Sequence, residues 1–315
     1  MRIAVLALDG VFDTGLAAIS DTLAVANALA GSKAAPFEVA RIGMRRRVTT
    51  GQGLQVPVAE LPRRAPDLVV VPALAAKSAS GLDVALARSD VREATELLAA
   101  WAQRGTRVAG ACTSTFVLGA AKLLDAKPAT TTWWLTAAFR ERFPKVKLDE
   151  SQMLVESCGV ITAGAALAHL DLALWMVRCA SPSLARMTGR HLAFDRRPSQ
   201  AAYSLPHHVD HTDAIVEKFE TWAKRNLTGF SLEGAARAVG ASERTLERRV
   251  RHSLGRSPVA FVQELRVADA IHQLETTDRG LDEIAASVGY QSGVTLGTLL
   301  RKHTGLGIRQ LRARK

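Results

Sequence analysis

The C-terminal third of the chain contains one pattern twice. Leu232–Gly240 reads LEGAARAVG, and Leu281–Gly289, 49 positions later, reads LDEIAASVG. Each copy is followed by a second short segment with helical spacing of its apolar residues, ASERTLERRV from Ala241 and QSGVTLGTLL from Gln291. Glycine permits a left-handed turn between two short amphipathic segments. Each copy is therefore predicted to form two helices that meet at an angle.

Two such units in one chain are typical of a protein that reads DNA. The second helix of a helix-turn-helix lies in the major groove, and successive grooves are about 34 Å apart. The amphipathic segment Val259–Glu275 follows Ser257-Pro258, a helix-starting pair, and is predicted to join the units rigidly. Residues 215–315 carry 17 Lys and Arg against 11 Asp and Glu, a density of net positive charge more than twice that of the preceding residues. Such charge suits a nucleic-acid partner.

The outer face of each second helix supplies the candidate DNA contacts. Arginine suits bidentate contact with guanine or phosphate, whereas a solvated basic face is the alternative. In the second unit, Gly293 and Gly297 each weaken the helix by about 1 kcal/mol relative to alanine. We therefore expect the first unit to read bases and the second mainly to anchor phosphate. The candidates are Ser242, Arg244, Thr245, Arg248 and Arg251 in the first unit, and Ser292, Thr295, Thr298, Arg301 and Lys302 in the second.

The first 190 residues alternate short apolar runs with helical patterns. Such alternation predicts an α/β fold with a mostly parallel sheet and flanking helices. The apolar runs are continuous, as in DLVVVPAL, which is typical of strands covered on both faces. The predicted strands are Ile3–Leu8, Val39–Ile42, Leu68–Val71 and Val108–Ala111, and the predicted helices are Asp13–Ala30, Val91–Arg104, Thr113–Leu124 and Trp133–Arg142.

A linker is predicted between two domains. Residues 191–213 lose helical periodicity and contain Pro198 and Pro206. The first domain is thus 1–190, and the helical domain is 214–315, beginning with the helix Ala214–Arg225. Histidines 207, 208 and 211 have no Cys or carboxylate at ligand spacing, so no metal site is expected there.

The composition predicts a soluble, cytoplasmic protein. Its three cysteines, Cys112, Cys158 and Cys179, are too few for a disulfide framework and suit a reducing compartment. The N-terminal run MRIAVLALDG is too short for a signal peptide. The most apolar later stretch, AGAALAHLDLALWMV, contains His169 and Asp171 and falls short of a membrane span. We expect no membrane association and no cofactor.

Cys112 is the candidate for chemistry in the first domain. It follows the predicted strand RVAGA and opens the helix TSTFVLGAAKLL, where a helix N-terminus favours a thiolate. A nucleophilic cysteine needs a histidine base. His169 is the sole histidine before residue 190, and its apolar helix pattern is more typical of a packed residue. Cys158 and Cys179 are expected to be structural, and a buried structural thiol is the alternative for Cys112.

The segment GACTSTFVLGAAKLLDAKPATTTWW, followed by FRERFP and VESCGVITAGAALAHLDLALWMV, resembles the class I glutamine amidotransferase-like (PfpI-type) domain, with its flavodoxin-like sheet. The resemblance places the family's nucleophile at Cys112 and its early acidic residue at Asp13. The family has A-T-T-H-W where this chain reads ATTTW, so Thr132 occupies the histidine position. The loss of that histidine predicts that hydrolase activity is absent.

What remains is a predicted ligand pocket. Cys112 and the amides of Thr113 and Ser114 would form its floor, and helix N-terminal amides suit a carboxylate or another electron-rich group. Asp13, Thr132 and Trp133 would form its walls, the tryptophan stacking on a planar or cationic ligand. Trp133 and its neighbour Trp134 are equally well interpreted as ordinary core residues.

The duplicated units, with GRSP before the long helix and VGYQS from Val288, resemble the DNA-binding domain of AraC/XylS regulators from about Ala214 to Arg312. Together with the PfpI-like domain, the chain resembles the GlxA family of transcriptional regulators. The resemblance implies an operator-binding transcription factor that senses a small-molecule effector, often nitrogenous, forms a homodimer and acts with RNA polymerase. Two alternatives stay open: a Cys112-dependent amide or isonitrile hydrolase, and a constitutive regulator whose front domain only dimerises.

Overall fold

The computed structural model describes residues 1–31, 35–195, 197, 199–200, 213–304 and 307–312. The chain divides into two compact units, Met1–Gln200 and Ala201–Lys315. The first is built on a β-sheet, and the described part of the second is helical. None of the helices in these ranges is long and apolar enough to cross a bilayer.

The first unit contains one large sheet and two short strand pairs. Its strands are β1 (Arg2–Ala7), β2 (Glu38–Gly43), β3 (Arg47–Thr49), β4 (Gln55–Pro57), β5 (Leu68–Val71), β6 (Arg107–Ala111), β7 (Pro128–Ala129), β8 (Lys147–Leu148), β9 (Leu154–Ser157) and β10 (Val160–Ala163). The large sheet has the order β2-β1-β5-β6-β10-β9. All its neighbouring strands are parallel except β9, which pairs antiparallel with β10. β3 pairs with β4, and β7 with β8.

Helices cover both faces of this sheet. They are α1 (Asp13–Ala30), α2 (Ala79–Ala87), α3 (Ser89–Gln103), α4 (Ser114–Ala120), α5 (Thr136–Arg142), α6 (Ala168–Ala180) and α7 (Pro182–His191). Successive residues of a strand point to opposite faces. In β1, Ile3 and Val5 accordingly pack in the cluster with α1, α6 and α7, and Ala4 and Leu6 pack in the cluster with α2 to α5. The continuous apolar strands follow from this double burial.

Two predicted helices differ from those observed. The helix predicted over Thr113–Leu124 ends at Ala120, because Lys122 has a φ of 58°, which a right-handed helix cannot accommodate. The helix predicted over Trp133–Arg142 is a short 3₁₀ turn, Trp133–Leu135, followed by α5. The β9–β10 hairpin lies outside the predicted strands, since its short runs LVES and VITA mix apolar with polar residues.

The first part of the predicted linker packs onto the first unit. Arg197 Nη2 donates to Asp171 Oδ2 at 2.6 Å, and Gln200 is fully buried. The compact unit consequently extends past residue 190 to Gln200. Most of the remaining linker, with His207, His208 and His211, lies outside the described residues.

The second unit is described as seven helices. They are α8 (Ala214–Arg225), α9 (Leu232–Val239), α10 (Glu243–Leu254), α11 (Pro258–Thr276), α12 (Leu281–Ser287), α13 (Gly293–Thr304) and α14 (Ile308–Arg312). α11 begins where predicted: Ser257 Oγ accepts a hydrogen bond from the Ala260 amide, and Pro258 occupies the first turn. Leu274 of α11 packs with Ile284, Leu296 and Leu311 in the core of the second repeat.

Candidate functional site

In the first helix-turn-helix unit, two capping serines and one glycine set the starts and ends of the helices. Ser231 Oγ accepts from the Gly234 amide at the start of α9. α9 ends at Gly240, whose φ of 70° is the left-handed conformation that glycine adopts without strain. Ser242 Oγ then accepts from the Thr245 amide at 3.2 Å and caps α10. The turn between α9 and α10 is thereby defined by local chemistry alone.

The outer face of α10 is a row of exposed cations. Arg244, Arg248 and Arg251 are all exposed, and their spacing of four and three residues puts them on one side of the helix. Thr245 is half-buried, and its hydroxyl accepts from Ser242 Oγ at 2.9 Å. Arg249, on a different face, pairs instead with Asp213 at 3.2 Å. The exposed arginines of α10 are therefore Arg244, Arg248 and Arg251, the arginines that are predicted to contact DNA.

The second helix-turn-helix unit has the same cap and turn as the first but different residues on its outer face. Gly289 makes the turn with φ of 86°. Ser292 Oγ accepts from the Thr295 amide at 3.3 Å. Ser292 is half-buried, whereas Thr295, Thr298, Arg301 and Lys302 are exposed on α13. Both cations lie in the last turn of this helix, so its first two turns carry no positive side chain.

The two helix-turn-helix units are joined by direct contacts as well as by α11. Arg266 of α11 donates through Nε to the Leu227 carbonyl at 2.8 Å, and its guanidinium lies 5.4 Å from the ring centre of Tyr290. The turn at Gly289 approaches the α8–α9 loop so closely that a Cβ there would lie 2.9 Å from Thr228 Cα. These contacts tie the loop before the first helix-turn-helix unit to the turn of the second.

A second candidate site lies where the parallel strands of the sheet end. Ligands of such sheets bind outside the carboxyl ends of the strands. Cys112 follows β6 directly, and its φ of 56° makes it the left-handed residue of a sharp strand-to-helix turn. Its amide donates to Ala163 O of β10 at 2.8 Å. The predicted elbow at Cys112 is therefore present.

The side chains after Cys112 are engaged with neighbouring loops. Thr113 Oγ1 donates to the Leu74 carbonyl at 2.6 Å, and Ser114 Oγ donates to the Val71 carbonyl at 2.7 Å. Both residues are buried, so any contact with a ligand would use their backbone amides rather than their hydroxyls.

The thiol of Cys112 is buried and lacks a histidine base. Burial raises the pKa of this thiol to about 11, although the hydroxyl of Thr132 and the amide of Thr113 favour the thiolate. His169 is buried too: its Nδ1 lies 2.6 Å from the Ala166 carbonyl, and its Nε2 accepts from the Ala73 amide at 3.0 Å. Burial lowers the pKa of His169 to about 4. Both imidazole nitrogens are thus committed to the backbone.

Three buried oxygens at this end of the sheet have no nitrogen or oxygen partner among the described residues: Asp13 Oδ1, Thr132 Oγ1 and Gln200 Oε1. Asp13 is the first residue of α1. The amide of the preceding Phe12 donates to the Ala73 carbonyl, and the Thr113 hydroxyl donates to the adjacent Leu74 carbonyl. Gln200 Nε2 donates to Thr131 O at 2.9 Å. This hydrogen bond identifies the nitrogen of the side-chain amide, so the atom without a partner is the oxygen. Buried polar atoms of this kind are uncommon in native proteins and call for an explanation.

Both tryptophan candidates are partly buried. Trp134 packs against the core cluster beneath α2 to α5, as an ordinary core residue would. Trp133 is half-exposed and lies edge-on to Trp134, with 5.4 Å between ring centres. Among the described residues, no group of three or more His, Cys, Asp or Glu side chains is arranged to hold a metal ion.

Three residues of these regions are not predicted from the sequence. Gln200 stands in a stretch that reads as linker, and no local pattern marks it. Arg266 could have been noticed as a cation beside the apolar stripe of α11. Val294 could have been found by aligning the two repeats, since it occupies the position of Arg244.

The helical unit matches a known protein family. Residues 235–314 match the model described as a helix-turn-helix domain. The chain is 28% identical over 196 residues to the HTH-type transcriptional regulator GlxA of Rhizobium meliloti (strain 1021), covering 60% of this chain and 59% of GlxA. It is 25% identical over 308 residues to the HTH-type transcriptional regulator GbdR of Pseudomonas aeruginosa (strain UCBPP-PA14), covering 96% of this chain and 81% of GbdR. The chain thus aligns with less than two thirds of GlxA but with most of GbdR.

Solved structures share the α/β fold. An AraC family transcriptional regulator from Pseudomonas putida has a TM-score of 0.52 at 21% identity, covering 61% of this chain and 98% of that protein. A ThiJ/PfpI family protein from Pseudomonas syringae has a TM-score of 0.51 at 20% identity, covering 62% and 76%. These likenesses confirm the predicted fold class. The chain carries an AraC-type helix-turn-helix domain and is homologous to the GlxA and GbdR regulators.

Proposed function

We propose that this chain is a sequence-specific transcription regulator that binds operator DNA through α10 and α13. The observation that carries the proposal is the exposed row of Arg244, Arg248 and Arg251 directly behind the Gly240 turn. A second helix in this arrangement enters the major groove, where arginine reads guanine and grips phosphate. The homologues GlxA and GbdR are themselves named as HTH-type transcriptional regulators.

The test is the loss of operator affinity when these arginines are truncated. The operator is first selected from a random oligonucleotide pool with the full chain. Arg244→Ala and Arg248→Ala should each then weaken binding by about 1–3 kcal/mol, or roughly 5- to 150-fold, in fluorescence anisotropy titrations at fixed salt. Arg92→Ala is the matched control, since Arg92 is an exposed helical arginine of the first unit. Unchanged affinity in both α10 variants would falsify the assignment.

The two helix-turn-helix units are proposed to contribute unequally. α10 carries three exposed arginines, whereas the cations of α13, Arg301 and Lys302, lie in its last turn, far from the end that enters the groove first. Base-pair substitutions should therefore reduce affinity sharply in the half-site under α10 and mildly in the one under α13. Equal penalties in the two half-sites would contradict this division.

We infer that the sheet end around Cys112 binds a small nitrogenous effector. The unpartnered oxygens Asp13 Oδ1 and Gln200 Oε1 support this inference, whereas the Thr132 hydroxyl interacts with the Cys112 thiol. A carboxylate oxygen and an amide oxygen only accept hydrogen bonds, so they are complementary to N–H donors. Leaving a buried acceptor unpaired costs about 1–3 kcal/mol, which a ligand amine, amide or guanidinium would recover. The half-exposed Trp133 could cover a cationic or planar ligand.

Thermal shift measurements on the full chain test the effector site. A library of small amines, amides and guanidino compounds is screened, and a ligand at 100 times its Kd should stabilise the protein by about 2.7 kcal/mol. Asp13→Asn and Thr132→Val should remove that stabilisation. Asp21→Asn, an exposed aspartate of the same helix, is the control and should retain it. Silence across the library would favour a constitutive regulator whose first unit only dimerises.

We propose that the first unit does not catalyse a reaction. The support is chemical: the buried Cys112 thiol stays protonated at neutral pH, Thr132 offers no base, and both nitrogens of His169 are bonded to backbone. The alternative is a Cys112-dependent amide or isonitrile hydrolase. Turnover of such substrates by the purified chain, abolished in Cys112→Ala, would establish that alternative.

The remaining partners follow from operator binding. We propose a homodimer, because two copies could bind two repeats of the site that one chain contacts through α10 and α13, and sedimentation of the purified chain tests this. Contact with RNA polymerase and a cytoplasmic location belong to the same proposal, because a regulator acts where transcription starts. An effector would change the output only by binding two arrangements of the protein with different affinity.

A further inference from the structure

The first turn of α13 presents an apolar side chain to solvent. Val294 is 80% exposed, more than any other large apolar residue in the described part of the chain. It is followed at helical spacing by Thr298 and Arg301, which are exposed on the same side. An exposed β-branched residue adds nothing to helix stability, so packing within this unit does not account for its presence.

The two repeats can be aligned residue by residue through their caps. Ser242 caps α10 by accepting from Thr245, and Ser292 caps α13 by accepting from Thr295. In both helices the same serine and threonine side chains also bond to each other, at 2.9 and 3.1 Å. Val294 is therefore the structural equivalent of Arg244, the foremost candidate for base contact in the first unit.

The two threonine hydroxyls near Val294 already have hydrogen-bond partners in α13 or its cap. The Thr298 hydroxyl donates to the Val294 carbonyl at 3.0 Å, and the Thr295 hydroxyl pairs with Ser292. Gly293 and Gly297 contribute no side chains. The leading end of α13 consequently offers an apolar surface and few hydrogen-bond donors, while Arg301 and Lys302 further along supply charge complementary to DNA phosphate.

We propose that Val294 reads a thymine in the second half-site by contacting its C5-methyl group. This inference rests on the proposed operator binding. Thymine is the one base that presents a methyl group in the major groove, and apolar side chains select it there. Val294 thus discriminates a base without a hydrogen bond, and the modest value of one methyl contact agrees with the smaller penalties expected in its half-site.

Replacing thymine by deoxyuridine isolates this contact, because only the methyl group is removed. Each thymine under α13 in the selected operator is replaced in turn, and affinity is measured by anisotropy with the full chain. At one position the wild-type protein should lose about three- to fivefold in affinity, the value of one buried methyl group. Val294→Ser should show the same loss on the thymine operator and no further loss with deoxyuridine.

Two controls separate this contact from other effects. Val84→Ser replaces another exposed helical valine, 71% exposed and in the first unit, and should behave like wild type on both operators. Arg244→Ala should keep the full sensitivity to deoxyuridine, because its contacts lie in the other half-site. Melting curves of both valine variants confirm that the fold is retained.

Several outcomes overturn the methyl contact while leaving the proposed function intact. These are an operator without thymine under α13, a wild-type protein indifferent to every deoxyuridine, or a Val294→Ser variant that loses affinity equally on both operators. The last result would show that Val294 affects DNA binding by a route other than the thymine methyl group. Failure of the wild-type chain to select any operator would overturn the function itself.

Discussion

At Cys112 the backbone geometry is that of a reactive cysteine, whereas the burial of the thiol disfavours its ionisation. The left-handed turn at the start of α4 is the geometry of an exposed nucleophile, but the residue is 4% exposed and burial raises its pKa to about 11. Desolvation outweighs the helix dipole here, because the dipole contributes about 1 kcal/mol at most sites. The sequence predicts the turn correctly, while the state of the thiol depends on what covers it.

Thiol labelling follows from this burial. Native protein at pH 7.5 should react rapidly with a chromogenic disulfide reagent at the exposed Cys158 and Cys179, and at Cys112 only after unfolding. Stopped-flow absorbance in the presence and absence of denaturant distinguishes the two classes. The variant with both Cys158→Ser and Cys179→Ser should show no fast reaction in the native state. A fast third thiol would mean that Cys112 is accessible and ionised.

His169 predicts a loss of stability in acid. Its pKa is lowered by burial from 6.5 to about 4, so between those values the unfolded chain binds a proton that the folded chain does not. The contribution is fully present above pH 6.5 and is lost as the pH falls toward 4, by about 3 kcal/mol in total. Urea unfolding monitored from pH 7 to pH 4 measures it.

The control for this prediction is His169→Gln, which keeps a hydrogen-bonding side chain but does not titrate. The variant should be less stable than wild type at pH 7 and should lose less stability on acidification. Parallel pH profiles for the two proteins would show that other groups cause the acid dependence.

At the scale of elements, the two turn glycines are alike in sequence and differ in surroundings. Gly240 and Gly289 both have positive φ, but a Cβ on Gly240 meets nothing within 4 Å. A Cβ on Gly289 would lie 2.9 Å from Thr228 Cα and 3.0 Å from the Leu227 carbonyl oxygen. Only the second glycine is therefore required for packing between the repeats as well as for its own turn.

Alanine substitution separates these two requirements. Gly240→Ala should destabilise the helical unit by about 1–2 kcal/mol, the cost of a left-handed alanine. Gly289→Ala bears that cost and must also displace the α8–α9 loop, so its destabilisation should be clearly larger. Urea unfolding followed by circular dichroism at 222 nm compares them in the full chain. Equal losses would show that the loop yields without cost.

In the helical unit, Arg266 links α11 to two loops. It bonds the Leu227 carbonyl and lies against Tyr290, so one side chain contacts the loop before the first repeat and the turn of the second. Together with the close approach at Gly289, this explains why the segment VGY stands at that turn. The glycine permits the approach, and the tyrosine provides the ring beneath the guanidinium.

At the scale of the whole molecule, the protein has two kinds of surface, each suited to a different partner. The helical unit presents a cationic face on α10 and an apolar leading end on α13, which together suit the major groove of DNA. The α/β unit buries unpartnered acceptors at the carboxyl ends of its strands, which suits a small donor-rich ligand. The two repeats share their caps and turns and differ in the residues of their outer faces.

Local patterns in the sequence predicted the fold class and the boundaries of the helix-turn-helix units. Helix starts at Ser242 and Ser257, turns at Gly240 and Gly289, and the parallel sheet all follow from interactions between residues near one another in the chain or from the period of apolar residues. The end of α4 could not be predicted this way. The left-handed Lys122 and Ala126 that follow it are residues without a glycine's signature.

The sequence by itself determined that the chain has an α/β part and a duplicated helix-turn-helix part, and that arginines line the second helix of the first repeat. Only the tertiary structure decided which side chains are exposed and which of their polar atoms have hydrogen-bond partners. It buried Cys112 and engaged both nitrogens of His169. It placed Gln200 beside Thr131 and left Val294 in solvent. The reason is physical: caps, turns and periodicity are local, whereas burial and unpaired polar atoms depend on residues that are distant in sequence.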